Sequence, residues 1–391
     1  MRTEAVDALV IGAGPAGLMA AEALSGAGRS VVICEAKPSP ARKFLMAGKS
    51  GLNLMNAAPL REQIEIYGRA ADWLDPMLKA FGPAEIHDWA DGLGAALFTG
   101  SSGRVFPQAM KASPLLRAWL ARLESRNVTL RRGWRWLRGG FEFATPDGPS
   151  TLMPRVCVLA LGGASWARLG SDGVWSAHLQ AKGVPLAAFR PANVGFSVNW
   201  SDHMRPQHGQ PVKAVMLRAG ASHLRAEFVI TRRGVEGGGI YALSEAILDG
   251  EQLQIDLFPD LSTTEIAARI ARQPRKLSST NKLRRALGLT GARLALLLET
   301  TQPLPAEPVT LADCLKSIPL PLLEAFPMDE AISTSGGVMQ AGVTDTLMLR
   351  NWPGVFVAGE MLDWTAPTGG YLLTACLATG HWAGTHAAGY S

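Results

Sequence analysis

An apolar run, Ala8–Ile11, leads into Gly12-x-Gly14-x-x-Gly17 and a stretch of small and apolar residues, and a second apolar run, Val31–Cys34, ends on Glu35. Strand, glycine turn, helix, strand and terminal acid in this order restrict the start of the chain to a βαβ unit whose turn faces a dinucleotide. Gly12 permits the tight turn, Gly14 lets the backbone approach a pyrophosphate, and Gly17 lets the helix pack on the strand. Pro15 and Ala16 open the helix, whose free N–H groups and positive dipole end suit phosphate. Glu35, followed by Ala36, stands where a carboxylate accepts hydrogen bonds from a ribose. A βαβ unit built for packing alone would not need that acid. The acid favours FAD or NAD over NADP, whose 2′-phosphate it would repel.

The rest of the chain is large enough to use such a cofactor. Its 391 residues allow two or three domains, and 47 % apolar against 18 % charged residues is the balance of a globular enzyme. No long run is apolar enough to span a membrane. The N-terminal apolar stretch follows Glu4 and Asp7 and is broken by the glycine turn, so it reads as strand and helix rather than a signal peptide. Cys34, Cys157, Cys314 and Cys376 are far apart, with no C-x-x-C. They read as reduced thiols of a cytoplasmic protein, which argues against a disulfide-type redox flavoenzyme. The seven histidines show no metal-ligand spacing, so no metal is expected, and His87 and His178 read as surface or core residues.

The net charge is +5. Arg272, Arg275, Lys276, Lys282, Arg284 and Arg285 fall together without an intervening acid. No aromatic interleaving or nucleic-acid motif accompanies them, so they read as a solvated helical face, and nucleic acid is not the expected partner.

The periodicity divides the chain. Residues 1–190 read α/β, with an irregular segment at 41–56, helical patterns at 60–80, 83–93 and 114–125, a hairpin around Gly139-Gly140, and an all-apolar run, Val156–Leu161, suited to a strand buried on both faces. Residues 191–260 read as an inserted β-rich domain of short strands. Residues 261–326 read as an inserted helical subdomain with proline-rich joints. From residue 327 the α/β character returns: an apolar strand, Gly354–Ala358, runs into Gly359-Glu360, and Gly369-Gly370 open a last helix from Tyr371. A nucleotide domain begun at residues 1–190 and completed by 327–391 therefore encloses the middle of the chain. That layout decides for FAD, because a nicotinamide dehydrogenase has no reason to complete its nucleotide fold from the far end.

Three further segments carry a family resemblance: ARKFLMAGKSGLNLMN (Ala41–Asn56), AISTSGGV (Ala331–Val338) and PGVFVAGEMLDWTAPTGGYLLTACLATG (Pro353–Gly380). With the N-terminal fingerprint they resemble the BaiN-type family of bacterial FAD-dependent oxidoreductases over essentially the whole chain. The resemblance implies an α/β fold: a Rossmann-like, glutathione-reductase-type FAD-binding domain interrupted by the β-rich and helical insertions. It implies that Arg42, Lys43, Lys49, Ser50, Gly51 and Asn53 run beside the pyrophosphate, ribityl chain and flavin. It places Glu360, after Gly359, at the ribityl hydroxyls, although Asp is commoner there in the wider superfamily. Gly369, Gly370, Tyr371 and Leu372 should aim a positive helix end at the flavin. Trp134, after Gly133, and Gly162-Gly163 should lie near the adenosine. Trp364 reads equally well as a neighbour of the flavin or as core.

That family includes members described as NAD(P)H-dependent enone reductases on steroid-like acids and as amine oxidases on aminoacetone. The leading expectation is a reductase that passes hydride through flavin N5 from NAD(P)H to an unsaturated carbonyl-type small molecule. The alternatives are a peroxide-producing flavin amine oxidase and an RNA-associated flavoprotein. No second glycine fingerprint exists, so NAD(P)H should visit as a transient reductant. Arg233–Tyr241 is glycine-rich; there Tyr241 and Glu236 are the candidate proton donors. The alternative for that stretch is a bulged strand of the insertion.

Overall fold

The computed structural model describes residues 2–49, 51–138 and 140–390. It divides into two compact units, Met1–Pro191 with Ile332–Ser391, and Ala192–Ala331.

The first unit is built on a mixed sheet that, among the described residues, has seven strands. Its spatial order is Thr129–Arg132, Val31–Glu35, Arg2–Ile11, Gly148–Leu159, Glu142–Thr145, Arg135–Arg138, with Val355–Val357 paired on the far half of Gly148–Leu159. The strands of the nucleotide-binding half are parallel: Ile11 lies opposite Cys34 on one side and Leu159 on the other, and Leu159 lies opposite Val357. Val156–Leu159 is buried on both faces, which accounts for its unbroken apolar sequence. The chain order reverses between Arg2–Ile11 and Gly148–Leu159. That is the switch point outside whose carboxyl ends an α/β sheet opens a crevice.

Two helices separated by almost the whole sequence cover one face. The opening helix, Pro15–Gly26, packs on the last helix, Tyr371–Ala388. The contact is close because the last helix presents glycine. A Cβ on Gly380 would lie 2.3 Å from the Ala16 carbonyl oxygen, and one on Gly384 would lie 2.5 Å from that of Ala20. Glu22 of the opening helix is buried and accepts hydrogen bonds from the indoles of Trp89 (3.1 Å) and Trp119 (2.5 Å) and from Arg122 (3.0 Å). A carboxylate enclosed this way satisfies three donors at once, as buried charge requires.

Local departures from the sequence reading have local causes. The helical pattern at 60–80 is split into Leu60–Glu65 and Ala71–Ala80 around Gly68, whose φ of +51° ends the helix. The irregular segment contains a short helix, Arg42–Ala47, entered through Ala41 at φ 54°. Trp364 is core: it is 2 % exposed, and its indole donates to the Gly359 carbonyl at 2.9 Å.

The second unit is a six-stranded sheet covered by helices. Its order is Phe196–Ser197, Gly234–Glu236, Ser222–Ile230, Pro211–Ala219, Leu253–Asp256, Ile318–Leu320. The helices Thr263–Ala271, Ser279–Leu287, Gly291–Thr300 and Pro308–Lys316 share one core with these strands. Ser262 and Glu265 cap the first of them reciprocally, Ser262 Oγ accepting from the Glu265 N–H at 3.2 Å and Glu265 accepting from the Ser262 N–H at 2.8 Å. Residues 261–326 are therefore not a separate helical subdomain. They contribute the edge strand Ile318–Leu320, and the expected boundary near residue 260 does not divide the core. The glycine-rich stretch also differs from a bulged strand. Gly237 at φ +107° ends Gly234–Glu236 and starts a helix, Gly238–Leu248.

The four cysteines are unpaired, and three are buried. Among the described residues no helix is long and apolar enough to cross a membrane.

Candidate functional site

The cleft of the first unit opens where Arg2–Ile11 ends. Gly12 turns the chain at φ +102°, and a Cβ there would lie 2.3 Å from the Ala160 carbonyl oxygen. A Cβ on Gly17 would lie 1.9 Å from the Gly12 carbonyl oxygen. These two glycines are dictated by the protein's own backbone. Gly14 is different: its φ is −80°, and a Cβ there would meet nothing within 4 Å. The space beside it is open cleft. Pro15 begins the helix, and the first-turn amides of Ala16 and Gly17 have no intrahelical acceptor, so they and the helix dipole make an anion seat at that point.

Glu35 closes the next strand with its two oxygens divided between two backbone donors, Ala13 (3.0 Å) and Lys37 (2.8 Å). Burial pushes its carboxyl above the usual range, and these N–H groups oppose the shift. Each oxygen keeps a second lone pair for a ribose hydroxyl. Trp134 donates its backbone N–H to the Glu35 carbonyl (2.9 Å), and its ring lies under the Arg131 guanidinium at 4.8 Å.

Further along the same cleft, Lys43 of the Arg42–Ala47 helix reaches Glu360 Oε2 at 2.8 Å and Ser165 Oγ at 2.8 Å. Glu360 is delivered by Val355–Val357 and the turn Gly359–Met361. Gly359 must be glycine, since its φ is +75° and its Cβ would lie 2.8 Å from Ala16 Cβ. Thus Gly12, Gly14, Pro15, Ala16, Glu35, Ala36, Arg42, Lys43, Trp134, Gly162, Gly359 and Glu360 all line one cleft.

The other expected residues that the structure describes do not line it. Gly17 lies beneath it, in the core of the turn. Gly163 packs against Thr334, whose Oγ1 would be 1.9 Å from an added Cβ. Gly51 faces Met110, and Gly48 faces Ala112, so both glycines are accounted for by protein packing. Asn53 turns a buried Oδ1 that has no partner in the protein. Lys49 borders a separate groove. Gly369 and Gly370 start the last helix against the strand Met55–Asn56, where a Cβ on Gly370 would lie 2.4 Å from the Met55 carbonyl carbon. Tyr371 contributes its carbonyl, which accepts from the Tyr67 hydroxyl at 2.8 Å, and Leu372 packs on the core. Ser50 lies outside the described residues.

Sequence reasoning missed Ser165, Ser171, Leu169 and Cys376. Ser165, Leu169 and Ser171 reach the cleft region from a segment without a motif, and Cys376 from the last helix, whose quoted motif gave no role to this thiol. Burial pushes the Cys376 thiol far up, so it is an inert wall. Arg42 Nε and Ser171 Oγ are buried in the cleft without a protein partner. Two orphaned donors and the open space over Gly14 are what a dinucleotide's phosphates and sugars would satisfy, so the residues present fit such a group.

Tyr241 and Glu236 belong to the second unit. Tyr241 is in the first turn of Gly238–Leu248, directly after Gly234–Glu236. Burial, then the nearby Glu236 carboxylate, holds its phenol above the usual range. Gly234 and Gly239 serve packing: added Cβ atoms would lie 1.9 Å from the Phe196 carbonyl oxygen and 2.6 Å from Leu217 Cδ1.

Residues 6–386 match the profile of the HI0933-like protein Rossmann domain. The chain is 28 % identical to the 3-dehydro-bile acid delta(4,6)-reductase of Clostridium scindens, over 97 % of this chain and 98 % of that one. It is 24 % identical to the ribosomal RNA dihydrouridine synthase of Escherichia coli, over 94 % of each. Among solved structures it resembles 3-ketosteroid-delta4-(5alpha)-dehydrogenase from Rhodococcus jostii RHA1, with a TM-score of 0.55 at 18 % identity over 98 % of this chain and 97 % of that one.

Proposed function

Because the chain belongs to the HI0933-like Rossmann family and is an FAD-dependent oxidoreductase, we propose that it saturates a carbon–carbon double bond conjugated to a carbonyl, using NAD(P)H as reductant. One observation carries this reading. Two relatives matched over nearly their full length are named as a 3-dehydro-bile acid delta(4,6)-reductase and a ribosomal RNA dihydrouridine synthase, names that each describe reduction of a carbon–carbon double bond.

The cleft residues have the chemistry to hold FAD. The helix end over Gly14 and the Arg42 guanidinium would offset the pyrophosphate charge, Glu35 would take the adenosine ribose, and Glu360, steadied by Lys43, would take ribityl hydroxyls. Bound FAD supplies the hydride relay between reductant and acceptor. The chain's part is to bind, orient and protonate. The 18-residue last helix starts at Gly370 with its positive end free of a side-chain cap, which favours negative charge near Gly369–Leu372. Tyr241, whose phenol is held above its ordinary range by burial and then by Glu236, remains the candidate proton donor of the second unit.

Anaerobic mixing of FAD-loaded protein with NADPH or NADH, followed by a conjugated enone, tests this. The flavin absorbance should bleach and then return as the product gains two hydrogens. Indifference to both nicotinamides would sink the reductase reading and favour the amine oxidase.

A second reading has its own support. In it the double bond belongs to a uracil within RNA. Among the described residues none of Arg272, Arg275 and Lys276, in the cap and turn after one helix, or Lys282, Arg284 and Arg285, on the next, forms an ion pair, so these charges are uncompensated. Binding to ribosomal RNA that weakens steeply with salt would favour it, whereas turnover of free enones without RNA affinity would exclude it.

A further inference from the structure

The groove beside Lys49 lies in the first unit, and Arg42 borders both it and the cofactor cleft. Arg42, Lys49 and Lys111 line it together with the hydroxyls of Ser39 and Ser113, over apolar surface from Leu45. No acid lines it. Among the described residues none of the three cations has an ion-pair partner, whereas Lys43, next to Arg42 on the Arg42–Ala47 helix, pairs with Glu360. Lys111 Nζ donates to the Lys49 carbonyl at 3.2 Å, and Arg42 reaches Ser39 Oγ at 3.4 Å.

Three like charges gathered around one depression repel each other unless an anion joins them. Cations with hydroxyls and no carboxylate are the donor set of a phosphomonoester, whereas a ribose diol is read by an acid such as Glu35. We propose that this groove seats the 2′-phosphate of NADPH and makes the enzyme prefer NADPH to NADH. The inference rests on the reductase reading above. It explains how a chain with a single dinucleotide fingerprint recognises its second dinucleotide: by charge on the outer side of the Arg42–Ala47 helix. The apolar surface at Leu45 gives the adenine a face to lie on.

Calorimetric titration of oxidised, FAD-loaded protein with NADP+, NAD+ and 2′,5′-ADP tests it. NADP+ should bind roughly tenfold more tightly than NAD+, and 2′,5′-ADP should compete with NADP+. Lys111→Glu should cost NADP+ roughly tenfold and change NAD+ less than about twofold, with Lys111→Gln between the two. Circular dichroism and flavin content report whether each variant is folded and loaded. Equal binding of NAD+ and NADP+ by the unmodified protein, or NADP+ binding indifferent to both substitutions, overturns the proposal. The two readings fail differently. If neither nicotinamide bleaches the flavin but 2′,5′-ADP binding is lost in Lys111→Glu, the anion seat stands and the reductase reading falls. If NADPH bleaches the flavin and the substitutions change nothing, the reverse holds.

Discussion

Lys43 Nζ lies 2.8 Å from Glu360 Oε2, joining two residues 317 positions apart in the cleft of the first unit. Lys43 comes from a helix that follows the first βαβ unit, and Glu360 from the strand that completes the sheet. Both side chains are largely buried, at 26 % and 13 % exposed. Lys43→Met removes the cation and leaves the carboxylate facing a half-buried wall. Flavin retention through gel filtration should fall, and the denaturant midpoint of the stripped protein should drop by the equivalent of about 1–3 kcal/mol. Lys43→Arg should recover part of both. Unchanged flavin retention in Lys43→Met would show that the pair does not shape the cofactor site.

Gly14 and Gly17 should respond oppositely to alanine. At Gly14 the methyl meets no protein atom and the backbone is at an ordinary negative φ, so the stripped Gly14→Ala protein should keep its stability within about 0.5 kcal/mol while losing FAD. At Gly17 the methyl runs into the Gly12 carbonyl, so Gly17→Ala should be unstable with or without flavin. Paired denaturation curves and flavin contents decide the matter. A Gly14→Ala protein that retains full flavin would mean the phosphates lie elsewhere.

Glu22 holds the opening helix to two tryptophans and Arg122. Glu22→Ala strands two indole N–H groups and a guanidinium in the core, and should cost about 3–5 kcal/mol, measured by urea unfolding. Glu22→Gln keeps an acceptor and should cost less.

Glu35 gives a pH dependence whose sign can be worked out. Burial raises its carboxyl above 4.5 in the folded protein. The folded state then holds the proton more tightly than the unfolded chain, so this group's contribution to stability falls as pH rises from 4.5 through the raised value. Ribose hydroxyls donate to the ionised form. FAD affinity should therefore rise over the same interval, and Glu35→Gln should flatten the rise. Fluorescence titration of FAD between about pH 4.5 and 7 measures both.

The first half of the cleft, from Gly12 to Glu35, was legible because its residues are contiguous. Gly12 to Glu35 are neighbours in sequence and in space, and strand and helix periods fix where each points. Glu360 was legible only through its likeness to known flavoproteins, since nothing local marks it. Ser165, Ser171 and Cys376 carried no signal, because their roles come from what packs against them. The helix after Gly237 was missed because three successive glycines read as a turn, while burial of Ile240 and Leu243 against the sheet overrides their low helix propensity. Pro319–Pro321 reads as a proline-rich joint, yet Pro319 is the central residue of the strand Ile318–Leu320, because an edge strand tolerates proline.

By itself the sequence determined a dinucleotide fingerprint, an interrupted α/β domain and a flavoprotein likeness, since these rest on local backbone preference and on residues in register with a motif. Tertiary structure alone decided that Lys43 meets Glu360, that the insertion is one core, and that Arg42, Lys49 and Lys111 share a groove. Those depend on close approaches between distant segments. Gly380 and Gly384 of the last helix allow one such approach by letting it settle on Ala16 and Ala20. Such proximity is a property of packing, and no spacing along the chain encodes it.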